Sequence, residues 1–471
     1  MPINNFLLPG AKVTTAYSVA NSCRFNDGDS PYMHKTCSSA FDTDRFTISV
    51  WCKRGVLGIE TRLVSCDDAD GSDDDFLKFD ANDNIEFTIY GSSSIVGRLI
   101  TNAKYRDVSA WYHIVAVWDS ANGTAGNRMR LYVNGTEVTS FSTDTNPSSG
   151  ANATFGNTSH PIEIGRRGSN GSQYFDGYLA EVAVCDGQAY AASDFGEFDE
   201  DSPTIWKPKD ISGLTFGTSG FYLDFEDSSN LGNDANGGTD LTEVNLATTD
   251  QASDSPTNNF ATWNPLWSQS NGNIGDVVFS EGNLKTTTSA HYRTFPATIG
   301  FSSGKWYWEI KRIEDDGNDT HTGVMSENAT PAQTATWIGS QANAWIFAGD
   351  AGSTYTGNSE TNTGYTDAGS ADDIISVAFD ADNGKIFFAV NGTWQGSADP
   401  AAGTNYAYSS LDTSLYYFPC TSTGSDVEGN FGNPSFSISS GNSDGNGYGN
   451  FEYSVPSGYY ALCTKNLAEF G

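Results

Sequence analysis

The chain has 471 residues, of which 37% are hydrophobic and 13% aromatic, and its 58 acidic and 24 basic residues give a formal net charge of −34. A charge of this sign repels nucleic-acid phosphates, so the chain is not expected to bind nucleic acid. No run of about 20 apolar residues occurs, so membrane insertion is not expected either. Aromatic residues recur along the whole chain, which argues against disorder.

The first half contains short segments in which apolar and polar residues alternate, a pattern typical of strands with one buried face. Such segments lie at 46–53, 76–79, 85–90, 111–118, 128–133 and 178–185. Asn134 and Gly135 directly follow one of them and suit a tight hairpin turn. A short helix is predicted around 190–198. The 50 glycines and the frequent Ser, Thr, Asn and Asp supply turns between strands, so the chain is predicted to be all-β.

A polar segment divides the chain. After a predicted strand at 221–225, residues 227–261 are rich in Asn, Thr, Gly and Asp and are predicted to be a linker between domains. Beyond it, strands are predicted at 306–312, 374–379, 385–390 and 415–418. Two hairpin sequences resemble each other, FDANDNIEF from Phe79 and FDADNGKIFF from Phe379. Either an ancestral duplication or the same hairpin chemistry used twice explains this similarity.

Seven cysteines are spread through the chain: Cys23, Cys37, Cys52, Cys66, Cys185, Cys420 and Cys463. Their number is odd and no CxxC pair occurs, so neither a disulfide framework nor a zinc ribbon is expected. Several lie inside apolar strands, where a free thiol packs as a small hydrophobe. The first ten residues lack the basic segment of a signal peptide. We therefore expect the protein to fold in a reducing cytoplasm.

Several motifs in the first 226 residues resemble a known family. They are SCRFNDGDSPYM from Ser22, FTISVWCKRG from Phe46, WYHIVAVWD from Trp111 and RLYVNGTEV from Arg130. Together they resemble the laminin G-like, concanavalin A-like jelly rolls of marine phage genomes. The resemblance implies a β-sandwich domain over residues 1–226.

The last part, residues 262–471, is similar to a SPRY-like β-sandwich. The motifs that carry this similarity are SGKWYWEIK from Ser303, ISVAFDADNGKIFFAVNGTW from Ile375 and EGNFGNPSF from Glu428. Two further phrases, DSPTNNFATWNPL at 254–266 and GYYALCTKNL at 458–467, resemble structural proteins of tailed phages. The whole resemblance implies two antiparallel β-sandwich (jelly-roll) domains joined by a polar linker, in a virion structural protein.

Concanavalin A-like folds include glucanases, in which pairs of carboxylates are catalytic. Retaining hydrolysis requires two carboxyl groups about 5–5.5 Å apart. Asp224 and Glu226 are two residues apart and are predicted to share a strand face, but the third acid of the glucanase pattern is missing. Neither HExxH nor GxSxG occurs, and His113 inside a strand is expected to be structural. No catalytic residue is predicted, and the protein is expected not to be an enzyme.

One loop is strongly acidic. Its sequence, CDDADGSDDDF, contains Asp67, Asp68, Asp70, Asp73, Asp74 and Asp75. Calcium prefers six to eight oxygen ligands on flexible loops, so this loop is a candidate calcium site. The spacing does not match the EF-hand loop, and a solvated acidic loop is the alternative. Calcium is the only cofactor that the sequence suggests.

Four aromatic residues in the long polar stretch 325–373 are candidates for glycan contact: Trp337, Trp345, Tyr355 and Tyr365. A sugar presents an apolar ring face together with hydroxyls, and long loops of this kind often carry binding residues. The alternative is that these aromatic residues belong to the core of a sandwich.

The combined expectation is a phage virion surface protein, associated with a tail fibre or spike and made in the bacterial cytoplasm, which binds a host surface glycan or receptor. Other virion proteins and further copies of the chain are the expected partners, with a trimer expected in a fibre. Many copies on one particle would turn weak contacts into firm adhesion. The alternative is a capsid decoration or tail structural protein that contacts only virion proteins.

Overall fold

The computed structural model describes residues 17–267, 277–288, 293–314, 320–330 and 337–471. These residues form 32 strands, numbered β1 to β32 in chain order, and two short α-helices, α1 (Ala192–Phe195) and α2 (Thr464–Phe470). Single turns of 3-10 helix lie at Asp27–Asp29, Ala125–Asn127, Thr248–Asp250, Ile338–Ser340 and Gln395–Ser397. The all-β prediction is confirmed.

The first sandwich consists of two eight-stranded sheets. One contains β1 (Ser22–Phe25), β3 (Arg45–Arg54), β8 (Trp111–Asp119), β9 (Met129–Val133), β10 (Thr136–Glu137), β13 (Gly177–Asp186), β16 (Phe221–Leu223) and β18 (Gln251–Ala252). Their order is β10-β9-β8-β3-β13-β1-β18, with β16 also paired to β13. A separate hairpin, β14 (Gly196–Phe198) with β15 (Trp206–Pro208), follows α1.

The facing sheet has the order β11-β7-β6-β5-β4-β12-β2-β17. Its strands are β2 (Tyr32–Lys35), β4 (Thr61–Asp67), β5 (Asp74–Phe79), β6 (Ile85–Tyr90), β7 (Ile95–Thr101), β11 (Phe141–Thr145), β12 (Ile162–Ile164) and β17 (Thr242–Val244). Alternate side chains of both sheets point inward and form one buried apolar core, which includes Ile48, Leu77, Ile114 and Trp118.

The second sandwich pairs an eight-stranded sheet with a six-stranded one. The larger contains β19 (Val277–Ser280), β20 (Lys285–Thr288), β22 (Lys305–Arg312), β27 (Ile374–Asp380), β28 (Lys385–Val390), β29 (Thr393–Trp394), β31 (Val427–Asn430) and β32 (Tyr460–Ala461). Their order is β19-β20-β31-β22-β27-β28-β29, and β32 runs parallel to β22 whereas the other pairs are antiparallel.

The smaller sheet has the order β21-β30-β23-β24-β25-β26. Its strands are β21 (Arg293–Pro296), β23 (Thr320–Ser326), β24 (Ala344–Ala348), β25 (Ser353–Thr356), β26 (Ser359–Thr361) and β30 (Tyr417–Thr423). Between the sheets lies a second apolar core, rich in aromatic residues that include Trp263, Trp306, Trp308 and Phe379.

The cysteine and hairpin predictions are confirmed. All seven cysteines are buried and free. Asn134 and Gly135 connect β9 to β10 with φ values of 47° and 75°, and Asn391 and Gly392 connect β28 to β29 with the same two values. Both φ angles are positive at each turn, which suits Asn and Gly, so the two sandwiches use the same hairpin chemistry.

The sequence predicts residues 227–261 to be a linker, but the part of this segment up to Ala252 contributes to the first sandwich. β17 pairs with β2 and β18 pairs with β1, so this segment adds one strand to each sheet. Leu231 and Leu241 are buried in the first core. Most of the segment forms turns between short strands, which explains its polar composition. Its buried leucines attach it to the first core.

Buried polar side chains join the two sandwiches. Lys53 of β3 is buried, and its Nζ lies 2.7 Å from Oδ2 of Asp254. The same ammonium donates a hydrogen bond to Oδ1 of Asn259 at 2.7 Å. The indole N–H of Trp111 donates to the other carboxylate oxygen of Asp254 at 2.9 Å. Asp254 and Asn259 lie on the segment that leads into the second sandwich, so these bonds fix how it departs from the first.

A second set of bonds connects β1 and the loop after β3 to the second sandwich. Nε of the buried Arg24 lies 3.0 Å from Oε2 of Glu281, and its Nη1 donates to the carbonyl oxygen of Pro434 at 3.3 Å. Nδ2 of Asn283 donates to the carbonyl oxygen of Gly55 at 3.1 Å. The two sandwiches are therefore held together at several separate points.

Candidate functional site

The predicted calcium loop is the turn between β4 and β5. Three of its six carboxylates, those of Asp67, Asp74 and Asp75, are buried. Asp67 accepts hydrogen bonds from the backbone N–H groups of Gly168 and Ser169 at 3.0 and 2.5 Å. Its two oxygens thus hold a neighbouring loop in place.

The other two buried carboxylates have equally strong partners. Asp74 accepts two bonds from the guanidinium of Arg62, at 2.8 and 3.0 Å, in a bidentate pair. Asp75 accepts bonds from the backbone N–H of Tyr90 at 2.5 Å and from the hydroxyl of Thr154 at 2.7 Å. Burial raises the pKa of Asp75 well above its ordinary value. Both residues tie strands together.

The three less buried carboxylates accept bonds within or near the turn. Ser72 donates to Asp68 from its hydroxyl and to Asp70 from its backbone N–H, at 2.5 and 2.9 Å. The backbone N–H of Ser93 donates to Asp73 at 2.7 Å. Within the described ranges no three His, Cys, Asp or Glu side chains are gathered so that they could hold a metal ion. Calcium binding by this loop stays a prediction.

The four predicted glycan-contacting aromatics are all half-buried, and the structure divides them into two pairs. Trp337 and Tyr355 meet edge to face with ring centroids 4.7 Å apart. Trp345 and Tyr365 instead pack against the core of the second sandwich. Trp345 lies 5.9 Å from the ring of Tyr417. Tyr355 also packs against a smaller buried cluster, and glycan contact through these residues stays a prediction.

The expectation that Asp224 and Glu226 share a strand face is wrong. Strand β16 ends at Leu223, and Phe225 has a φ of 59°, so the chain turns between the two acids. Asp224 accepts a hydrogen bond from the backbone N–H of Glu226 at 3.1 Å, as in a local turn. The two-residue spacing therefore does not place these carboxylates side by side.

His113 has the structural role that the sequence predicts. The indole N–H of Trp206 can only donate, so it fixes Nδ1 of His113 as an acceptor at 2.9 Å. Nε2 therefore carries the proton and donates to Oγ of Ser49 at 2.9 Å. Burial lowers the pKa of this imidazole to about 3, so it is neutral at physiological pH.

A groove lies where the two sandwiches meet, and we call it the interdomain groove. Its volume is about 370 Å³. It is lined by Asn21, Ser228, Thr248, Thr249, Gln251, Ser253, Asn433, Pro434, Phe436, Ser437, Ile438 and Asn450. A neighbouring cavity of about 280 Å³ shares Ser253 and Asn450 with it. Both sandwiches thus supply walls to one polar surface.

The segments 254–266 and 458–467, whose sequences resemble those of phage structural proteins, lie next to each other beside this neighbouring cavity. Phe260 and Cys463 pair through their backbones, and the hydroxyl of Thr464 accepts a bond from the backbone N–H of Asn259 at 3.0 Å. These phrases therefore serve to join the two sandwiches.

Sequence reasoning missed the interdomain groove because its lining comes from separate segments that span more than 400 residues. One signal was present in the sequence. The motif EGNFGNPSF at 428–436 contains Asn433, Pro434 and Phe436 and is too rich in turn-forming residues to be a single strand.

Two family profiles match the chain, each over one sandwich. The profile described as "Concanavalin A-like lectin/glucanases superfamily", a laminin G-like family, matches residues 27–192. The profile described as "SPRY domain" matches residues 305–434. A laminin G-like domain and a SPRY domain are therefore present. Domains of these two kinds often mediate binding.

Two solved structures are similar to parts of the chain. The SPRY domain of human HERC1 has 19% identity and a TM-score of 0.27, and the match covers 36% of this chain and 96% of that one. The heptameric SAP-like pentraxin of Limulus polyphemus has 14% identity and a TM-score of 0.27, covering 37% of this chain and 80% of that one. No curated protein matches the sequence. None of the described helices is long and apolar enough to cross a membrane.

Proposed function

We propose that this protein is a non-enzymatic surface protein of a tailed-phage particle, associated with a tail fibre or spike, which attaches the virion to its host by binding a surface glycan or protein. The observation that carries the proposal is the interdomain groove, because ligand sites often form where two domains meet. Here segments that pack against a laminin G-like domain and a SPRY domain, both of kinds that often bind ligands, line one groove, and the SPRY match itself reaches Asn433 and Pro434.

The buried, hydrogen-bonded connection between the sandwiches supports a binding role. Lys53 and Asp254 are both buried, as are Arg24 and the backbone contacts around it. A groove whose walls are already fixed loses little conformational entropy when a ligand binds. Repeated copies on a particle, for example three in a fibre, would multiply a weak single-site affinity through effective concentration.

The geometry around the carboxylates favours binding over catalysis. Asp224 and Glu226 diverge at a turn, and His113 is locked between Ser49 and Trp206. A general base must reach its substrate proton through a hydrogen bond, and both nitrogens of His113 already have partners.

A second candidate function is capsid decoration or tail structure, with contacts to virion proteins alone. The hairpin β14–β15 favours this alternative, because Phe198 is 44% exposed and Ile205 is 56% exposed beside Trp206. Adjacent exposed apolar side chains are typical of contacts with another protein. Light scattering measures the oligomeric state of the purified chain, and would show whether the hairpin contacts another copy of the chain.

Immunogold labelling of intact particles, with an antibody raised against this chain, tests the proposal. Label at the tail fibres or tail tip is the expected result, and label over the head would support decoration instead. Particles without label would overturn both virion roles. In parallel, purified protein is expected to bind host cells. Binding to no host cell or host glycan, with calcium or with EDTA, would contradict attachment.

A further inference from the structure

The side chains that line the interdomain groove are uncharged, although the chain carries 58 acidic residues and Nζ of Lys311 lies 5.3 Å from the ring centroid of Phe436. The described lining of the groove consists of Asn, Gln, Ser and Thr side chains with three apolar residues, and none of these carries a charge. Charged ligands bind best to sites that offer an opposite charge, which this lining lacks. The net charge of −34 further disfavours anions. The lining therefore fits a neutral, polar ligand.

One buried side chain in this lining has an unused hydrogen-bond donor. Asn433 is 2% exposed, and its Oδ1 accepts bonds from the backbone N–H groups of Ser253 at 2.9 Å and Asp254 at 3.3 Å. Two backbone donors fix which end of the amide faces them, because a rotated amide would place its own N–H₂ against them. Nδ2 is therefore directed away from Ser253 and has no acceptor among the described residues.

An unpaired buried donor is costly unless a ligand or water satisfies it. The ligand that would satisfy Nδ2 must carry an acceptor oxygen. Neighbouring Asn21, Thr249 and Ser437 add donors and acceptors that suit hydroxyl groups.

The groove also has an apolar side. Phe436 and Ile438 line it and are both half-buried. A ligand that matches both parts needs hydroxyl groups and an apolar face on the same small ring, which is the chemistry of a pyranose. A volume of about 370 Å³ lies in the range of small-molecule sites.

We propose that the interdomain groove binds a neutral carbohydrate, with Nδ2 of Asn433 donating to a hydroxyl or acetamido oxygen of the sugar. The inference deepens the proposed attachment function by naming its site and its ligand class. The second sandwich and the loop that follows β31 contribute Asn433 and Phe436, and the segment after β17 contributes Thr249 and Ser253, so the site needs both halves of the chain.

Saturation-transfer NMR on the full chain tests this inference. The neutral probes are maltose, cellobiose and N,N′-diacetylchitobiose, and the anionic probe is sialyllactose. We expect at least one neutral disaccharide to bind and sialyllactose to give no signal. Ser437→Trp fills the groove from an exposed position and should abolish binding. Ser443→Trp, a matched change at an exposed position outside the groove lining, should leave binding intact.

Two further variants test the roles of single residues. Asn433→Asp keeps the Oδ1 acceptor used by Ser253 but removes the free donor, and should weaken binding about tenfold. Phe436→Ala should weaken it as well, whereas Phe198→Ala, on the exposed hairpin, should not. Thermal melts of each variant establish that it is folded. Unchanged binding by Ser437→Trp, preference for sialyllactose, or no bound sugar would each overturn the inference.

Host-cell binding separates this inference from the proposed function. If the wild-type chain binds cells and Ser437→Trp binds equally well, attachment stands and the groove is not its site. If the chain binds disaccharides but no host cell, the groove site stands and attachment fails. Periodate oxidation of cell-surface sugars should remove cell binding that depends on the groove. If protease treatment removes it and periodate does not, the groove partner is a protein and the inference is wrong.

Discussion

The interior of each sandwich differs sharply from the interface between the two. Inside, apolar side chains such as Ile48 and Ile310 pack against one another and are fully buried. Between the sandwiches, Lys53, Asp254 and Arg24 are just as buried but charged. Apolar burial is non-directional, whereas a buried charge is stable only when its partner is in place. The cores therefore stabilise the two folds, and the charged interface selects one relative placement.

The largest effect is expected from breaking the buried pair of Lys53 and Asp254. Lys53→Met should lower the free energy of unfolding by about 4 kcal/mol, because it leaves the Asp254 carboxylate buried without a counter-ion. Burial already raises the pKa of Asp254, which shows the cost of its charge. Urea denaturation followed by tryptophan fluorescence measures the change.

Two comparisons make that result specific. Adding Asp254→Asn to Lys53→Met should recover much of the loss, since the amide is neutral and still accepts the bond from Trp111. Lys311→Met, which breaks the pair with the exposed Asp372 from a half-buried lysine, should cost less than about 1 kcal/mol. Equal costs at the buried pair and at this partly exposed pair would show that the interface does not depend on charge pairing.

Core truncations should cost slightly less. Ile48→Ala in the first core and Ile310→Ala in the second should each lower the free energy of unfolding by about 3 kcal/mol, through lost apolar burial and the cavity left behind. Because the interface couples the sandwiches, each variant should still unfold in one transition. Two separate transitions in urea, seen by fluorescence and circular dichroism together, would contradict that coupling.

Acid should weaken the first sandwich through His113. Its folded pKa of about 3 lies below the ordinary value of 6.5, so the stability it supports is complete above pH 6.5 and is lost as pH falls towards 3. At pH 5 the loss relative to pH 8 should be about 2 kcal/mol. His113→Gln, which does not titrate, should remove this part of the pH dependence. A variant with an unchanged pH profile would exclude His113 as the cause.

A smaller effect is expected at the two matching hairpin turns. Asn134→Ala and Asn391→Ala should each cost about 1.5 kcal/mol, because alanine is strained at positive φ and the amide oxygen is lost. That oxygen accepts the backbone N–H of His113 in one sandwich and of Ile374 in the other, at 2.8 and 2.9 Å. Thermal melts should show similar losses for both. A large difference would mean that the two turns are similar in sequence alone.

Several strands were predicted correctly because the alternation of apolar and polar residues directly indicates a strand with one buried face. β3, β8, β22 and β27 all lie where the pattern places them. β16 ends early at Leu223 because Phe225 adopts a positive φ, which side-chain alternation does not report. β17 and β18 were missed because two or three paired residues in a polar stretch leave no periodic signal.

The candidate sites likewise divide into features that the local sequence predicts and features that only the structure shows. Sequence locates the acidic loop but not that Asp67, Asp74 and Asp75 are buried with partners on β4, β6 and distant loops. It finds Trp337 and Trp345 together, although they face different surroundings. Exposure and pairing depend on segments that are far apart in the chain.

The sequence by itself determined the all-β class, the two sandwich domains with their hairpins, and the buried state of the cysteines. These follow from local periodicity, turn chemistry and hydrophobicity, which act between near neighbours. Only the tertiary structure decided that residues 227–252 complete the first sandwich, that Lys53 meets Asp254, and that Asn433 lines a shared groove. Those contacts join residues up to hundreds of positions apart, and a buried charge or amide selects its partner through three-dimensional geometry that no local pattern contains.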